Sequence, residues 1–307
     1  MVAFLFAGQG SQYIGMGKDL YESFPESKAI FDRANKALGF SISNLCFSGA
    51  PETLKQTIYA QPAILTVSIA AYEAFKAKNN FQPKFFAGLS LGEYSALIAA
   101  GFFSFEDGVK LVRRRAEIME AQAVKYPGTM AAVLDLPFEK VKEICLKSGA
   151  EIANLNAPGQ IVISGTKESV LKAKDSCLEA GAKRVIELEV SGGFHSSLMS
   201  EAAVELKEVI ARTPMLALKI PVVSNYTAMP AYKVPQIEEN LVYQMYSSVK
   251  WEESVKFIIS QGVNQFYEFG PGKVLKGLMR RIAPEAEVIS IEKKEDLLKL
   301  AEDKHAS

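Results

Sequence analysis

Short apolar runs alternate with segments of helical periodicity along most of this chain. Four of the runs predict buried strands: Val2–Phe6, Phe85–Ala87, Val222–Ser224 and Gln265–Phe269. Between Glu106 and Ala123, the apolar side chains recur every three or four residues, which predicts an amphipathic helix with one buried face. Because strands that alternate with helices form parallel sheets, we predict an α/β protein.

The pattern of predicted strands and helices changes after Tyr126-Pro127-Gly128. The next segment predicts strands and helices in the order βαββαβ, which is the order of the ferredoxin-like split unit. The predicted strands are Met130–Leu134, Ile152–Leu155, Gln160–Ser164 and Arg184–Leu188, and the predicted helices are Phe138–Lys147 and Ser169–Ala180. We therefore predict a large domain formed by residues 1–126 and 195–307, with a small ferredoxin-like subdomain inserted at residues 127–194.

The segment Gly88-Leu89-Ser90-Leu91-Gly92 follows a predicted strand and has the form of a nucleophile elbow. Each glycine lies two residues from the serine, where a Cβ would collide as the strand and the following helix pack around a strained turn. The N-terminus of that helix offers unpaired N–H groups to an oxyanion that develops beside Ser90. With this elbow, the predicted fold is α/β, a hydrolase-like parallel sheet core with a ferredoxin-like inserted subdomain.

A nucleophilic serine needs a base, and the chain has two histidines. His305 stands in a charged C-terminal segment that we expect to fray. His195 follows a glycine pair in a loop; a histidine in such a loop is commonly an ordinary polar residue, but beside an elbow serine it is the candidate general base. Asp135 and Asp175 lie between the serine and the histidine, yet neither stands in a recognisable motif, so we assign no third acidic residue.

Composition is typical of an intracellular enzyme. The chain has 307 residues, of which 49% are hydrophobic, and this is enough to bury a substantial core. Lys plus Arg equals Asp plus Glu at 35 each, so the charge pattern of a nucleic-acid-binding protein is missing. No apolar run approaches the roughly 20 residues of a membrane helix, and the N-terminus lacks a signal-peptide pattern. Three scattered cysteines, without metal-ligand spacing, indicate free thiols in a reducing compartment, and we expect a cytoplasmic protein.

Several separated segments resemble the malonyl-CoA:acyl carrier protein transacylases and the related acyltransferase domains of polyketide synthases. Together the segments extend over nearly the whole chain, so their ordered occurrence is more specific than any one of them. They are Phe6 to Gln12, Gln61-Pro62-Ala63-Ile64, Gly88 to Leu97, Arg115 in its helix, Asn156 to Gln160, Phe194-His195-Ser196, Gln244 to Trp251, and Phe269 to Leu275.

The resemblance implies a catalytic dyad of Ser90 and His195. It also implies an oxyanion hole made by the backbone N–H groups of Gln9 and Leu91, and loss of one such donor typically raises the barrier by about 3 to 4 kcal/mol. The resemblance implies as well that a backbone carbonyl near Gln244 orients the histidine in place of a carboxylate. The glycine-rich turn around Gln9 does not fit a dinucleotide loop, because Tyr13 stands where that fingerprint requires glycine.

The resemblance further implies the acyl group. Arg115 borders the apolar face of its helix and corresponds to the arginine that holds the free carboxylate of a malonyl group. Its planar guanidinium is suited to this role because it can form two parallel hydrogen bonds with a carboxylate. Arg113 has Glu117 four residues on and is expected to be a paired surface residue. Phe194 resembles malonyl-selective members, because its ring would narrow the pocket at C2 of the substrate. Gln244 and Asn156 are the remaining expected substrate-binding residues.

The implied activity is transfer of a malonyl group from malonyl-CoA to the phosphopantetheine thiol of an acyl carrier protein, in fatty acid or polyketide synthesis. It needs no cofactor and no metal. The carrier is acidic, and the candidate docking residues are the pairs Lys183-Arg184, Lys273-Lys276 and Arg280-Arg281, although each could be ordinary solvated surface. Two alternatives remain: an acyl hydrolase that clears carrier proteins, and a non-catalytic scaffold of a synthase assembly.

The chain departs from the family pattern beside the nucleophile. Leu89 stands where the family commonly has histidine, Ala7 replaces a frequent proline, and Ala116 a frequent glycine. Leu89 removes a polar group next to Ser90, so it could change the access of a thiol or the rate of ester hydrolysis. It removes no essential role, because the expected base is His195.

Overall fold

The computed structural model describes the backbone of residues 1–306 and the side chains of residues 1–300, so the side chain of His305 lies outside the described residues. The strands are β1 Val2–Phe6, β2 Phe85–Gly88, β3 Gly128–Leu134, β4 Glu151–Ala157, β5 Gln160–Thr166, β6 Arg184–Glu187, β7 Val222–Val223, β8 Pro230–Ala231, β9 Gln265–Phe269 and β10 Glu287–Ile291. The helices are α1 Lys18–Ser23, α2 Pro25–Leu38, α3 Ile42–Ser48, α4 Pro51–Lys55, α5 Thr57–Lys78, α6 Leu91–Ala99, α7 Phe105–Lys125, α8 Phe138–Ser148, α9 Lys167–Glu179, α10 Ser200–Ala211, α11 Val234–Tyr246, α12 Trp251–Ser260, α13 Val274–Ile282 and α14 Lys294–Ala306, with a 3₁₀ turn at Ser197–Met199. No helix in this described part of the chain is long and apolar enough to span a membrane.

The larger sheet has six strands in the order β10-β9-β1-β2-β7-β8. Its pairings are parallel except for the short antiparallel pair of β7 and β8. The central strand β1 is apolar on both faces, because Phe4 and Phe6 pack into one core and Ala3 and Leu5 into another. Helices therefore cover both sides of the sheet, as the continuous apolar run predicts.

The register of the two central strands determines where the site forms. Phe6 at the end of β1 pairs with Gly88 at the end of β2, so the segments that follow these strands leave the sheet side by side. The turn that contains Gln9 thus lies beside the one that contains Ser90. In a parallel sheet, ligands bind at this carboxyl end of the strands.

The smaller sheet is antiparallel, with the order β4-β5-β3-β6. Its four strands lie between Gly128 and Glu187, within the predicted inserted range, and the predicted order βαββαβ is confirmed. One face of the sheet packs on α8 and α9 through a separate core, which includes Val133, Val141 and Ala173. The opposite face carries Met130 and Val162 toward the larger unit. We refer to the part from β3 to β6 as the insert.

The predicted boundaries of the strands and helices agree with the observed ones or differ from them by one or two residues. The strand predicted at Val222–Ser224 ends at Val223, because the N–H of Ser224 donates to the carbonyl of Met229 and the chain turns there. The helix predicted at Glu106–Ala123 extends to Phe105–Lys125. It begins after Ser104, whose hydroxyl accepts the N–H of Asp107 as an N-cap.

Candidate active site

The elbow has the strained geometry that its sequence predicts. Ser90 has a φ of 52°, in the region that residues other than glycine rarely adopt. A Cβ on Gly88 would lie 2.1 Å from the backbone of Gly92, and one on Gly92 would lie 2.2 Å from the carbonyl oxygen of Phe6. Asn225 ties both sides of the turn together, since its Oδ1 accepts the N–H of Ser90 at 2.6 Å and its Nδ2 donates to the carbonyl of Gly88 at 2.7 Å.

Ser90 and His195 form a hydrogen-bonded pair, with 2.8 Å between Oγ and Nε2. The other ring nitrogen, Nδ1, lies 2.8 Å from the carbonyl oxygen of Gln244. Because a carbonyl oxygen only accepts hydrogen bonds, Nδ1 carries the proton and Nε2 presents its lone pair to the serine hydroxyl. Burial, together with the charge of Arg115, lowers the pKa of His195 to about 4, although the Gln244 carbonyl opposes the shift. The imidazole is therefore neutral at neutral pH, as a general base must be.

Arg115 is completely buried and points at the nucleophile. Its guanidinium donates to Oε1 of Gln61 at 2.7 Å, to Oε1 of Gln244 at 3.1 Å and to Oγ of Ser90 at 3.4 Å. It also lies over the ring of Tyr94, with 5.1 Å between the guanidinium carbon and the ring centre. Burial lowers the pKa of Arg115, but an arginine starts so high that it stays charged. Within the described residues, no carboxylate forms an ion pair with this buried cation.

A cavity of about 420 Å³ separates the two sheets in front of the serine. The larger unit contributes the nucleophile and its base, and the insert contributes strand residues from the face opposite α8 and α9. The lining residues are Gln9, Gly10, Gln12, Lys55, Leu89, Ser90, Met119, Met130, Asn154, Asn156, Val162, Leu188, Glu189, Val190, Phe194 and His195. Lys55, the last residue of α4, and Glu189, which follows β6, form an ion pair of 2.8 Å. No group of side chains suited to hold a metal ion occurs in the part of the chain described.

The residues singled out from the sequence come together in this one region. Gln9, Asn156 and Phe194 line the cavity beside the dyad, whereas Arg115 and Gln244 are buried behind it and contact Ser90. Leu91 begins α6, so its N–H belongs to the first helical turn, where N–H groups lack an acceptor inside the helix. Oδ1 of Asn156 is buried without a hydrogen-bond partner among the described residues. Arg113 pairs with Glu117 at 2.8 Å, as predicted.

Three further residues of the site were missed from the sequence: Gln61, Glu93 and Asn225. Gln61 holds Arg115, Asn225 holds the elbow, and Glu93 accepts a hydrogen bond from Nε2 of Gln244 at 2.7 Å. Gln61 stands in a segment noted only for its resemblance, and Glu93 in the helix that follows the elbow. For Asn225 there was no local signal, because its partners lie more than 130 residues away in the chain.

A serine on an elbow after a parallel strand, with a buried neutral histidine at its hydroxyl, defines an enzyme of the serine-nucleophile acyl-transfer class. The chain belongs to the acyltransferase family, since residues 3–291 match the family model described as the acyl transferase domain. This confirms the resemblance seen in the sequence.

The chain is similar to characterised relatives over almost its full length. It is 48% identical to the malonyl CoA-acyl carrier protein transacylase of Bacillus subtilis over 94% of this chain and 93% of that protein. Among solved structures, an acyl carrier protein S-malonyltransferase from Vibrio cholerae matches with a TM-score of 0.94 and 38% identity, over 97% of this chain and 99% of that one. A malonyl-transacylase solved in complex with its type II polyketide synthase acyl carrier protein matches with a TM-score of 0.96 and 37% identity, over 98% and 99%.

Proposed function

We propose that this protein transfers a malonyl group from malonyl-CoA to the phosphopantetheine thiol of an acyl carrier protein, through a malonyl ester on Ser90. The observation that carries the proposal is the buried guanidinium of Arg115, 3.4 Å from the nucleophilic oxygen and without a carboxylate partner in the described residues. A free carboxylate on the acyl group would supply that partner. The names of the similar transacylases support the same substrate.

In the first half-reaction, Nε2 of His195 removes the hydroxyl proton of Ser90, and Oγ attacks the thioester carbonyl of malonyl-CoA. The backbone N–H groups of Gln9 and Leu91 stabilise the tetrahedral oxyanion. The intermediate collapses, the C–S bond breaks and the imidazolium returns its proton to the departing thiolate of coenzyme A. A malonyl ester remains on the serine.

In the second half-reaction, the thiol of the carrier's phosphopantetheine arm replaces coenzyme A in the same cavity. His195 accepts the thiol proton, sulfur attacks the ester carbonyl, and the proton passes to Oγ as Ser90 leaves. The reaction is ping-pong and needs no cofactor, so malonyl-CoA enters only as a substrate.

Arg115 argues against the alternative of a general acyl hydrolase, because hydrolysis of varied acyl chains does not require a buried cation at the acyl group. An acetyl group would leave the guanidinium without a carboxylate partner in a pocket that excludes water. A site built to bind a polar group strongly rejects substrates that lack this group, because its own buried polar group then stays unpaired. The 2.8 Å contact between Ser90 and His195 argues against a non-catalytic scaffold, for which the pair would have no use.

For the carrier partner we propose docking on basic surface residues. Lys273, Lys276 and Arg280 on or beside α13 take no part in an ion pair within the described residues, whereas Lys183 and Arg281 both approach Asp135. An acidic carrier would gain most from the unpaired cations.

We also propose a reducing cytoplasmic compartment, which suits the three buried free thiols of Cys46, Cys145 and Cys177.

The test is to incubate the protein with malonyl-CoA, record its intact mass and then add a phosphopantetheinylated carrier protein. We expect a stable adduct of one malonyl group that is absent in Ser90→Ala and discharges onto the carrier. An adduct that vanishes with release of free malonate would support the hydrolase. Absence of any adduct would support the scaffold.

A further inference from the structure

Glu93 is a buried carboxylic acid behind the active site, to which the acyl-transfer steps above give no role. It stands in the first turn of α6, three residues after the nucleophile, and is only 3% exposed. Burying a carboxyl group is unfavourable unless hydrogen bonds replace its water. Its partners therefore indicate what the group does.

Those partners belong to the active site. Oε2 of Glu93 accepts Nε2 of Gln244 at 2.7 Å and the backbone N–H of Asn225 at 3.0 Å. Asn225 is the residue that holds both sides of the elbow. Gln244 contacts three elements of the site at once: its carbonyl oxygen faces His195, its Oε1 accepts from Arg115 at 3.1 Å, and its Nε2 also reaches the carbonyl of Ser90 at 3.1 Å.

The Gln244 amide has one accepting and one donating end, and only one orientation suits the site. A carboxylate accepts hydrogen bonds and donates none, so Glu93 selects the orientation in which the NH₂ group points at it. The oxygen of the amide is then left for Arg115. In the flipped orientation, the NH₂ group would face the guanidinium N–H groups and the amide oxygen would face a carboxylate, so both contacts would be repulsive.

We infer that Glu93 is a positioning residue: its carboxylate fixes the Gln244 side chain and thereby keeps Arg115 and His195 in the positions from which they contact Ser90. The inference rests on the proposed acyl transfer through Ser90. Glu93 makes no contact with the reacting atoms, so its effect passes through Gln244.

Charge supports the same assignment. The charged and titratable groups that face Glu93 are Arg115 from α7 and Tyr94 from its own helix, while Gln244 of α11 and Asn225 after β7 supply neutral donors. Burial raises the pKa of Glu93 to about 7, although hydrogen bonds from Asn225, Gln244 and Ser224 and the charge of Arg115 oppose the rise. The carboxylate form, which is the better acceptor, therefore becomes dominant as the pH rises through about 7.

The matched experiment compares two buried glutamates. Glu268 is 1% exposed and accepts hydrogen bonds from the N–H groups of Leu275 and Lys276 and from Ser290, so its contacts are structural. Glu93→Gln and Glu268→Gln each remove one buried charge and keep the shape of the side chain. Two readouts are measured: single-turnover loading by malonyl-CoA, and the rate at which a fluorophosphonate labels Ser90, which depends on the dyad and not on malonyl recognition.

We expect Glu93→Gln to lower both rates about 10- to 100-fold at pH 8, the size of effect that small misplacements of reacting groups produce. Glu268→Gln should stay within about twofold of wild type per folded molecule. Equal rates in the two variants at equal folded fraction would overturn the inference. Wild-type protein that is labelled normally but not loaded by malonyl-CoA would refute the proposed function alone, and the labelling rates would still test Glu93.

The wild-type pH profile provides a measurement that does not depend on the folding of a variant. If Glu93 acts as inferred, the labelling rate of the wild type rises between pH 6 and pH 8 with a midpoint near 7, since deprotonation creates the stronger acceptor. His195 titrates lower, with a pKa of about 4, and adds no change in that range. A wild-type rate that falls as the pH rises from 6 to 8 would overturn the inference, because ionisation of Glu93 would then weaken the site. In Glu93→Gln, where it folds, we expect the profile to be flat.

Discussion

The units built on the two sheets contribute to the cavity in different ways: the larger unit supplies the reacting side chains, and the insert supplies part of the wall. Every side chain that contacts the hydroxyl of Ser90, namely His195 and Arg115, comes from the larger unit, and Gln244, which holds both of these side chains, also belongs to it. The insert contributes Met130, Asn154, Asn156 and Val162 to the opposite wall, and none of them forms a hydrogen bond with the serine in the described structure.

This difference follows from how each unit is built. In the parallel sheet, the carboxyl ends of neighbouring strands bring residues that are distant in sequence to one point, where hydrogen bonds such as those of Asn225 hold them rigidly. In the antiparallel insert, alternate residues face the α8–α9 core and the cavity, so a strand supplies surface and volume. We therefore expect substitutions in the larger unit to remove the reaction, and substitutions in the insert to change how well substrate binds.

The largest effect should come from His195→Ala. Without the imidazole no group accepts the serine proton, and we expect single-turnover malonyl loading to fall by about 10⁴-fold or more, as for other serine nucleophiles that lose their base. The measurement is intact-mass spectrometry after rapid quenching. A loss below about 100-fold would mean that another group serves as the base. The conclusion that the reacting groups come from the larger unit alone would then lack support.

Next in size is Arg115→Ala, which should change the acyl selectivity. We expect malonyl loading to fall by about 10³-fold because the carboxylate loses its buried partner, with acetyl loading reduced by at most about tenfold. The neighbouring Arg114→Ala is the control, since Arg114 pairs with Glu117 and Glu205 at the surface. The assignment is wrong if malonyl and acetyl loading fall by the same factor.

The elbow itself is tested by a pair of glycine substitutions. Gly92→Ala places a Cβ 2.2 Å from a backbone carbonyl oxygen that cannot move aside, so we expect the free energy of unfolding to fall by about 3 kcal/mol or more. Gly277→Ala, in α13, meets nothing within 4 Å and should raise it by about 0.5 to 1 kcal/mol. Urea denaturation measures both. A Gly92 variant as stable as wild type would show that the elbow is not under close-packing constraint.

The sequence predicted what depends on local pattern. The strand Val2–Phe6 agrees residue for residue, and the predicted order of elements in the insert is the observed one, because periodicity and turn residues determine both. The elbow was predictable because its glycines and serine fall within five consecutive residues. Glu93 and Asn225 could not be given roles, since these depend on partners 132 to 151 residues away that only the sheet register brings near. The role of Asn156 was given only by resemblance, for the same reason.

The smallest effect should come from the insert, through Asn156→Ala. Oδ1 of this side chain is buried at the cavity without a partner in the described structure, so we interpret it as an acceptor for a polar group of the substrate's arm. One such hydrogen bond is worth about 0.5 to 1.5 kcal/mol, which corresponds to a rise of about 2- to 12-fold in KM with kcat nearly unchanged. Ser176→Ala, on α9 at the far side of the insert, is the control and should leave both constants as they are. Steady-state transfer measures the two constants separately. A fall in kcat as large as the rise in KM would mean that the insert acts in the transition state, and the division of the site between a reacting unit and a binding unit would have to be abandoned.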